Sequence, residues 1–196
     1  MEKSLLEQLI SAMCCLPGIG QKSAQRMAFS LLSRQRDAGK HLAQILSKAM
    51  EHIDYCQSCR TFSETVYCHI CENTRRDKSL LCIVETPADL YAIENTGYTG
   101  LYFVLHGKLS PIDGIGPEQL AIPTLRRNIE QKTLQEIILA TNPTIEGEAT
   151  SHYLSELAKQ YQIPCTRIAH GVPLGGELEY LDGGTLAHAF TYREKL

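Results

Sequence analysis

The sequence lacks any uninterrupted apolar run approaching the ~18 residues that a membrane-spanning helix needs. Its first residues, Met-Glu-Lys-Ser-Leu-Leu, also lack the basic-then-apolar pattern and the small-residue cleavage site of a secretion signal. Internal repeats and low-complexity segments are absent as well. We therefore expect a soluble, cytoplasmic protein, and 196 residues leave room for one large domain or two smaller ones.

A strong charge bias is also missing, but the net charge of −3 is distributed unevenly. Residues 1–79 carry 11 basic and 8 acidic side chains, whereas residues 80–196 carry 8 basic and 14 acidic ones. Only the N-terminal part is therefore a candidate for a surface that binds polyanions. Its bias is too modest to establish nucleic-acid binding without further observations.

Two Cys-x-x-Cys pairs separated by eight residues are the most informative motif of the chain. The spacing of Cys56, Cys59, Cys68 and Cys71 predicts one zinc ion per chain, bound tetrahedrally by four thiolates. The segment has few large apolar side chains, so zinc binding would supply the folding free energy that burial cannot. A shell closed by four thiolates predicts a structural ion. Disulfides and free thiols are the alternatives, and the absence of a secretion signal disfavours disulfides.

His69 lies inside the second Cys-x-x-Cys pair and could in principle replace a cysteine ligand. Because four thiolates are available, we expect His69 to be a solvated bystander instead. The remaining cysteines fall in apolar runs, where we expect small buried side chains without a chemical role. They are Cys14, Cys15, Cys82 and Cys165.

Apolar residues at helical spacing predict three helices before the cysteine pairs. These are a helix over 5–16, a helix after Gly20 that presents Ala24, Met27, Ala28, Leu31 and Leu32 on one face, and a helix over 41–53 with Leu42, Ile45, Leu46, Ala49 and Met50 inward. Short apolar runs then alternate with helical stretches, which predicts a parallel sheet covered on both faces. The expected strands are 80–84, 101–105, 134–140 and 164–168, with helices near 87–95, 118–131 and 148–161. A last strand at 178–181 and a short C-terminal helix follow.

Residues 16–24, Leu-Pro-Gly-Ile-Gly-Gln-Lys-Ser-Ala, match the helix-hairpin-helix pattern. Gly18 and Gly20 permit the turn and leave backbone N–H groups exposed at the start of a helix, where they can hold a phosphate. Lys22 and Arg26 are four positions apart on one helix face, and both can reach phosphates of the DNA backbone. The alternative is an ordinary helical turn with solvated cations. A nucleotide-binding loop does not fit, because Gln21 separates glycine from lysine and a helix precedes the turn where that loop needs a strand.

Acidic residues follow two predicted strands of the sheet. Glu85 ends the first strand, and residues 142–148, Asn-Pro-Thr-Ile-Glu-Gly-Glu, follow a later one. This pair resembles the Toprim domain of topoisomerases and bacterial primases, in which one glutamate and an Asp-x-Asp pair hold magnesium. Here Asn142 and Thr144 occupy the aspartate positions and offer only neutral oxygens, whereas magnesium prefers anionic ones. We therefore predict a Toprim scaffold without catalysis.

The two remaining acids of that loop receive different interpretations. Glu148 is explained by its favourable charge at the N-terminus of the following helix. Glu146 is expected in an exposed loop without a partner in the chain, and is a candidate for contact with another protein.

The order of these parts resembles the bacterial recombination mediator RecR over essentially the full length. Residues 105–117, Leu-His-Gly-Lys-Leu-Ser-Pro-Ile-Asp-Gly-Ile-Gly-Pro, and the tail 171–182, Gly-Val-Pro-Leu-Gly-Gly-Glu-Leu-Glu-Tyr-Leu-Asp, are similar to that family too. The predicted fold is a multi-part α and α/β architecture. It comprises a helical helix-hairpin-helix region at 1–54, a four-cysteine zinc finger at 55–78, a parallel-sheet Toprim domain at 79–175 and a C-terminal strand and helix at 176–196.

The resemblance implies a non-enzymatic DNA-binding clamp that acts with RecO and RecF at single-strand gaps and helps RecA replace the single-stranded-DNA-binding protein. It implies a ring-like homotetramer that encircles DNA, with Lys22 and Arg26 facing the duplex. The implied DNA partners are double-stranded, gapped and single-stranded DNA. Glu146 falls at a position associated with RecO contact. Glu85 is assigned to the same contact with RecO. One alternative is a magnesium-dependent Toprim nuclease or primase-like enzyme with a rearranged metal site, which the lost acid pair disfavours. Another is a protein-binding adaptor whose hairpin only packs subunits together.

Overall fold

The computed structural model describes residues 3–131, 133–169, 171–173 and 175–193, and it divides into two compact units, Met1–Ile53 and Asp54–Leu196. Across those stretches, no helix combines the length and the apolar character needed to cross a bilayer. The four-cysteine segment belongs to the same unit as the sheet. The domain limits predicted at 54, 78 and 175 stay predictions, and the one at 78 falls within strand Asp77–Val84.

The first unit contains helices α1 (Leu5–Met13), α2 (Gln21–Arg34) and α3 (Arg36–His52). The first of these ends three residues before its predicted limit. The backbone N–H groups of Cys14, Cys15 and Leu16 bond to the carbonyl three residues back, which replaces the α-helical pattern by tighter turns. Helices α1 and α2 pack through a small core of Ile10, Ala24 and Ala28. The two alanines let the helix axes approach closely, which explains their positions on the predicted apolar face of α2.

The apolar face of α3 is not buried by any of the residues that the structure describes. Leu42 and Leu46 are each 55% exposed, and Met50 is 73% exposed. The prediction that this face points inward is therefore wrong for the single chain, although the helix itself forms. Helical periodicity identifies an apolar face, but it does not say which molecule covers that face.

The second unit begins with the cysteine segment. It contains the antiparallel strands β1 (Asp54–Tyr55) and β2 (Phe62–Ser63) and the short helix α4 (His69–Glu72). The parallel sheet follows, with strands β3 (Asp77–Val84), β4 (Gly100–Val104), β5 (Glu136–Ala140) and β6 (Cys165–Arg167) in the order β4-β3-β5-β6. Helices α5 (Pro87–Glu94), α6 (Ile122–Glu130) and α7 (Ile145–Gln160) connect these strands.

Both faces of the sheet are covered, as predicted. Leu81 and Ile83 of β3 share a buried cluster with apolar residues of α6 and α7. Cys82 and Val84 of the same strand point to the opposite face and share a cluster with α5 and the cysteine segment. The cysteine segment and α5 therefore cover this face of the sheet, whereas α6 and α7 cover the other face.

A buried ion pair connects the beginning of β3 with the end of α5. The side chain of Arg76 is 8% exposed and pairs with the carboxylate of Glu94. Its guanidinium also donates to the carbonyls of Tyr98 and Gly100 at 2.8 and 3.0 Å. The hydroxyl of Tyr102 donates to the second oxygen of Glu94 at 2.9 Å. These contacts satisfy a charge that would otherwise be costly to bury.

The predicted last strand is a short 3₁₀-helix over Leu178–Tyr180, followed by helix α8 (Gly183–Thr191). Asp182 begins α8 by accepting a hydrogen bond from the N–H of Thr185. The alternating sequence at 178–181 fits a strand, but no strand among the described residues pairs with it. Leu174 of the predicted tail motif, and His170 before it, lie outside the described residues.

The cysteines outside the Cys-x-x-Cys pairs only partly follow the prediction. Cys82 is buried in the sheet, whereas Cys14 and Cys165 are partly buried. Cys15 is exposed, and the prediction is wrong for this residue because α1 has already ended before it. His69 is exposed, as expected for a side chain outside the metal site.

Candidate metal centre, hairpin and sheet-edge site

The sulfur atoms of Cys56, Cys59, Cys68 and Cys71 converge, and all four Sγ atoms lie within 4.8 Å of one another. Four thiolates at about 2.3 Å from a tetrahedral zinc ion would be about 3.8 Å apart, and the Sγ atoms of Cys59 and Cys68 are 3.5 Å apart. Three of these cysteines are buried and Cys71 is partly buried, which leaves little room for a further ligand. The structure confirms that the four residues form one cluster that can hold a metal ion.

Crowding shifts the pKa values of these thiols in opposite directions. The pKa of the Cys56 thiol is lowered, because the thiols of Cys59 and Cys68 hydrogen-bond to its sulfur. The pKa of the Cys59 thiol is raised by its hydrogen bond to Cys56 and further by burial. Four negative sulfur atoms can therefore coexist here only beside a cation, and a divalent metal ion meets this condition.

Backbone and side-chain hydrogen bonds connect the first Cys-x-x-Cys pair to the sheet. The N–H of Val104 in β4 donates to the carbonyl of Cys59 at 2.8 Å. The next residue, Arg60, has a positive φ of 65° and reaches across the end of β4. Its guanidinium donates to the carbonyls of Val104, Leu105 and Leu120 at 3.0, 3.1 and 3.3 Å. Sequence reasoning missed Arg60, and its position directly after a predicted ligand is the only signal.

The hairpin has the backbone geometry that its sequence predicts. Gly18 has a φ of +77°, a left-handed conformation that favours glycine. Gly20 is the residue that caps the N-terminus of α2, and it has no side chain that could accept a hydrogen bond. The first backbone N–H groups of the helix therefore have no side-chain cap. Lys22 and Arg26 are both exposed, and within the described part of the chain neither side chain has a hydrogen bond or ion pair. DNA contact by these residues stays a prediction.

Glu85 follows β3 at the edge of the sheet and is only 5% exposed. Its Oε1 accepts the backbone N–H of Asn142 at 3.0 Å, and its Oε2 accepts the side-chain amide of Asn142 at 2.7 Å. A Cβ on Gly147 would lie 2.0 Å from the carbonyl oxygen of Asn142, so only glycine fits there. Glu85 therefore holds the loop at Asn142 in position through these two hydrogen bonds. Its side chain exposes little surface to a partner protein.

Glu146 lies in the first turn of α7 and not in an exposed loop. Its carboxylate accepts a hydrogen bond from the ammonium of Lys108 at 3.1 Å, so the prediction that it has no partner in the chain is wrong. Its own backbone N–H and that ammonium lower the pKa of Glu146. Glu148 forms a two-point ion pair with the guanidinium of Arg167, at 2.6 Å for each contact, in addition to its position near the helix N-terminus.

These parts define a class of protein: a helix-hairpin-helix unit followed by a four-cysteine metal centre built into a Toprim sheet. Residues 79–169 match the Toprim domain family. Residues 6–50 match the family described as RecR, helix-hairpin-helix, and residues 171–194 match the one described as RecR, C-terminal.

Two relatives identify the particular family. The recombination protein RecR of Saccharophagus degradans is 54% identical over 197 residues, which cover 100% of both chains. The recombination protein RecR of Pseudomonas putida is 56% identical over 193 residues, which cover 98% of this chain and 96% of the relative. The chain belongs to the RecR family.

Proposed function

We propose that the protein is a non-enzymatic DNA-binding clamp and mediator of recombinational DNA repair in the cytoplasm. The contact between Glu85 and Asn142 carries the non-enzymatic part of this proposal. A magnesium-dependent Toprim enzyme needs anionic oxygens at this edge of the sheet. Here neutral N–H groups of Asn142 engage both oxygens of Glu85, at 3.0 and 2.7 Å. The repair role is supported by family membership, since both relatives are named recombination proteins.

The hairpin supplies the proposed contact with DNA. The open N-terminus of α2 favours a phosphate, and the exposed side chains of Lys22 and Arg26 lie one helical turn apart. Such contacts bind the DNA backbone whatever the base sequence. This property suits a protein that must act wherever a gap occurs.

The exposed face of α3 supports self-association into a ring-like homotetramer. Leu42, Ile45, Leu46 and Met50 are between 50% and 73% exposed along this helix. Burying apolar surface against a second copy is favourable by about 25 cal/mol per Å². A ring would also let four hairpins act on one DNA molecule, so that weak contacts at each subunit add up.

RecO and RecF are the proposed protein partners, and the proposed outcome is that RecA replaces the single-stranded-DNA-binding protein at gaps. Glu146 is the proposed contact for RecO. Its carboxylate is held by Lys108 and its side chain is 43% exposed, so a positively charged partner could still reach it. The excess of acidic residues over 80–196 supports a role of this part in protein contacts rather than in DNA binding.

Zinc is the proposed metal ion, because a closed shell of four thiolates is typical of structural zinc. When bound, the ion supplies folding free energy to the segment that contains it. The metal-bound segment is connected to the end of β4 by hydrogen bonds: the Arg60 guanidinium donates to the carbonyl of Val104, and the Cys59 carbonyl accepts from the N–H of Val104.

Replacing both Lys22 and Arg26 by alanine is expected to lower the affinity for gapped duplex DNA by about tenfold or more, because two phosphate contacts per subunit are lost. Fluorescence anisotropy with a labelled gapped duplex measures the affinity, and repeating it at several salt concentrations should give a shallower salt dependence. The matched control is Lys40→Ala with Lys48→Ala, which removes the same charge from α3. Equal affinity of the Lys22 and Arg26 variant and the wild type at physiological salt would favour the adaptor function.

We expect no magnesium-dependent cleavage, relaxation or primer synthesis by the purified protein, because an amide occupies the position that would help to hold magnesium. The assay compares supercoiled, gapped and single-stranded templates with and without magnesium. Reproducible activity that is lost in Glu85→Gln but kept in Glu118→Gln, an exposed acid in the loop before α6, would establish an enzyme instead.

A further inference from the structure

A cleft of about 660 Å³ lies between the cysteine segment and α6. Tyrosine rings, side-chain amides and two guanidinium groups line it, and neither Asp nor Glu is among the described lining residues. The guanidinium groups belong to Arg60 and Arg127. Its volume suits a small organic group, and its charge favours an anionic ligand over a cationic one.

Two tyrosine rings on the walls of the cleft are partly exposed. Tyr55 is 48% exposed and packs against Phe62 and His106, with ring centroids 5.6 and 4.6 Å away. Tyr67 is 45% exposed and has no ring partner among the residues that the structure describes. A flat apolar ligand can therefore stack on Tyr67, whereas Tyr55 is held in position by its own neighbours.

The polar groups of the cleft are only partly used. The guanidinium of Arg127 donates to the Thr124 hydroxyl at 3.1 Å and has no acidic partner in the described part of the chain. The amide of Asn128 donates one N–H to the Ser58 carbonyl at 2.8 Å, and its second N–H and its oxygen have no partner among the residues that the structure describes. A guanidinium without an acidic partner suits a phosphate, and an amide that both donates and accepts suits the edge of a nucleobase.

We propose that this cleft binds an unpaired nucleotide of single-stranded DNA, with the base stacked on Tyr67, its edge at Asn128 and a neighbouring phosphate at Arg127. A paired base cannot bind in this way, because its faces are covered by the neighbouring bases of the duplex. The inference rests on the proposed function at single-strand gaps and extends it. The hairpin then binds the duplex, and the cleft binds the strand that lacks a complement.

Tyr67→Ala is expected to lower the affinity for an oligothymidine strand about tenfold, with the affinity for a blunt duplex changed by less than about twofold. Tyr67→Phe keeps the ring and should bind the strand like the wild type. Arg127→Gln, on α6 and away from the cysteines in sequence, should also weaken strand binding and make it less dependent on salt. Fluorescence anisotropy with the full-length protein measures these affinities, and the metal content of each variant shows whether the neighbouring cysteine cluster is intact.

The chain contains no tryptophan, so Tyr67→Trp places a single tryptophan in the cleft, whose emission can be excited selectively over that of the tyrosines. Oligothymidine should quench its emission with the same midpoint as binding. Quenching by thymidine monophosphate at equal concentration would assign the cleft to free nucleotides and overturn the proposal. Unchanged strand binding in both Tyr67→Ala and Arg127→Gln, or an equal loss on strand and duplex, would overturn it too.

The combined change of Lys22 and Arg26 to alanine separates this proposal from the one on the hairpin. When the change is made in the Tyr67→Trp protein, loss of duplex binding with retained quenching by oligothymidine supports both sites. Retained quenching with unchanged duplex binding supports the cleft and contradicts the hairpin alone.

Discussion

Cys59→Ser is expected to abolish stable metal binding and to unfold the second unit at temperatures where the wild type is folded. Serine is a poor ligand for zinc, and Cys59 is fully buried beside Cys82, Val84 and Tyr102 of the sheet. Structural zinc contributes about 10–16 kcal/mol in zinc-finger peptides, which is as large as the net stability of about 5–15 kcal/mol of a typical domain. Circular dichroism on heating measures the unfolding, and elemental analysis should find about one zinc per wild-type chain.

The matched control for this change is Cys15→Ser, because Cys15 is exposed and outside the cluster. This variant should keep the melting temperature and the metal content of the wild type. Removal of the metal from the wild type by a chelator should reproduce the unfolding of Cys59→Ser. A metal-free wild type with unchanged melting would contradict the structural role of the cluster.

Glu94→Gln is expected to lower the free energy of unfolding by about 1–3 kcal/mol, because it leaves the charge of Arg76 largely buried without a counter-ion. The side chain of Arg76 is 8% exposed and that of Glu94 is 29% exposed, so water can replace the lost carboxylate only in part. Tyr102 would keep a hydrogen-bond acceptor at this position, which limits the change largely to the charge. Urea denaturation followed by circular dichroism measures the difference.

The same chemical change at Glu156 is the control. Glu156 pairs with Lys159 at 2.6 Å, but these side chains are 50% and 69% exposed. Glu156→Gln should therefore cost less than about 1 kcal/mol. Adding Arg76→Met to Glu94→Gln should recover part of the loss, since no unpaired charge then remains. Equal effects at Glu94 and Glu156 would show that burial does not govern the ion pair.

The parts of the fold that depend on local spacing could be predicted from the sequence. The cysteine cluster follows from two short-range pairs, the hairpin from its glycines, and the parallel sheet from apolar runs that alternate with helices. The presence of Asn142 and Thr144 at the two aspartate positions of the Toprim motif also predicted that neutral groups lie at this edge of the sheet, where Asn142 contacts Glu85. Each of these signals lies within a few residues along the chain, where geometry is strongly restricted.

Contacts between distant residues could not be predicted in the same way. Lys108 and Glu146 meet across 38 positions, and Arg60 reaches Leu120 across 60. The exposed face of α3 was misassigned for a related reason, because periodicity shows that a face is apolar but not what covers it. Residues 178–181 alternate like a strand, yet a strand forms only where a neighbour supplies its hydrogen bonds.

The alternation of side chains along β3 also restricts how this family can diverge. Leu81 and Ile83 pack with the helices on one face of the sheet. Cys82 and Val84 pack with α5 and the cysteine segment on the other face. Substitutions on one face can accumulate without disturbing the other, so the two layers can evolve separately. Insertion or deletion of one residue would exchange the faces and bring leucine to the sulfur side and cysteine into the helical core. We therefore expect this strand to vary by replacement across related genes while its length stays constant.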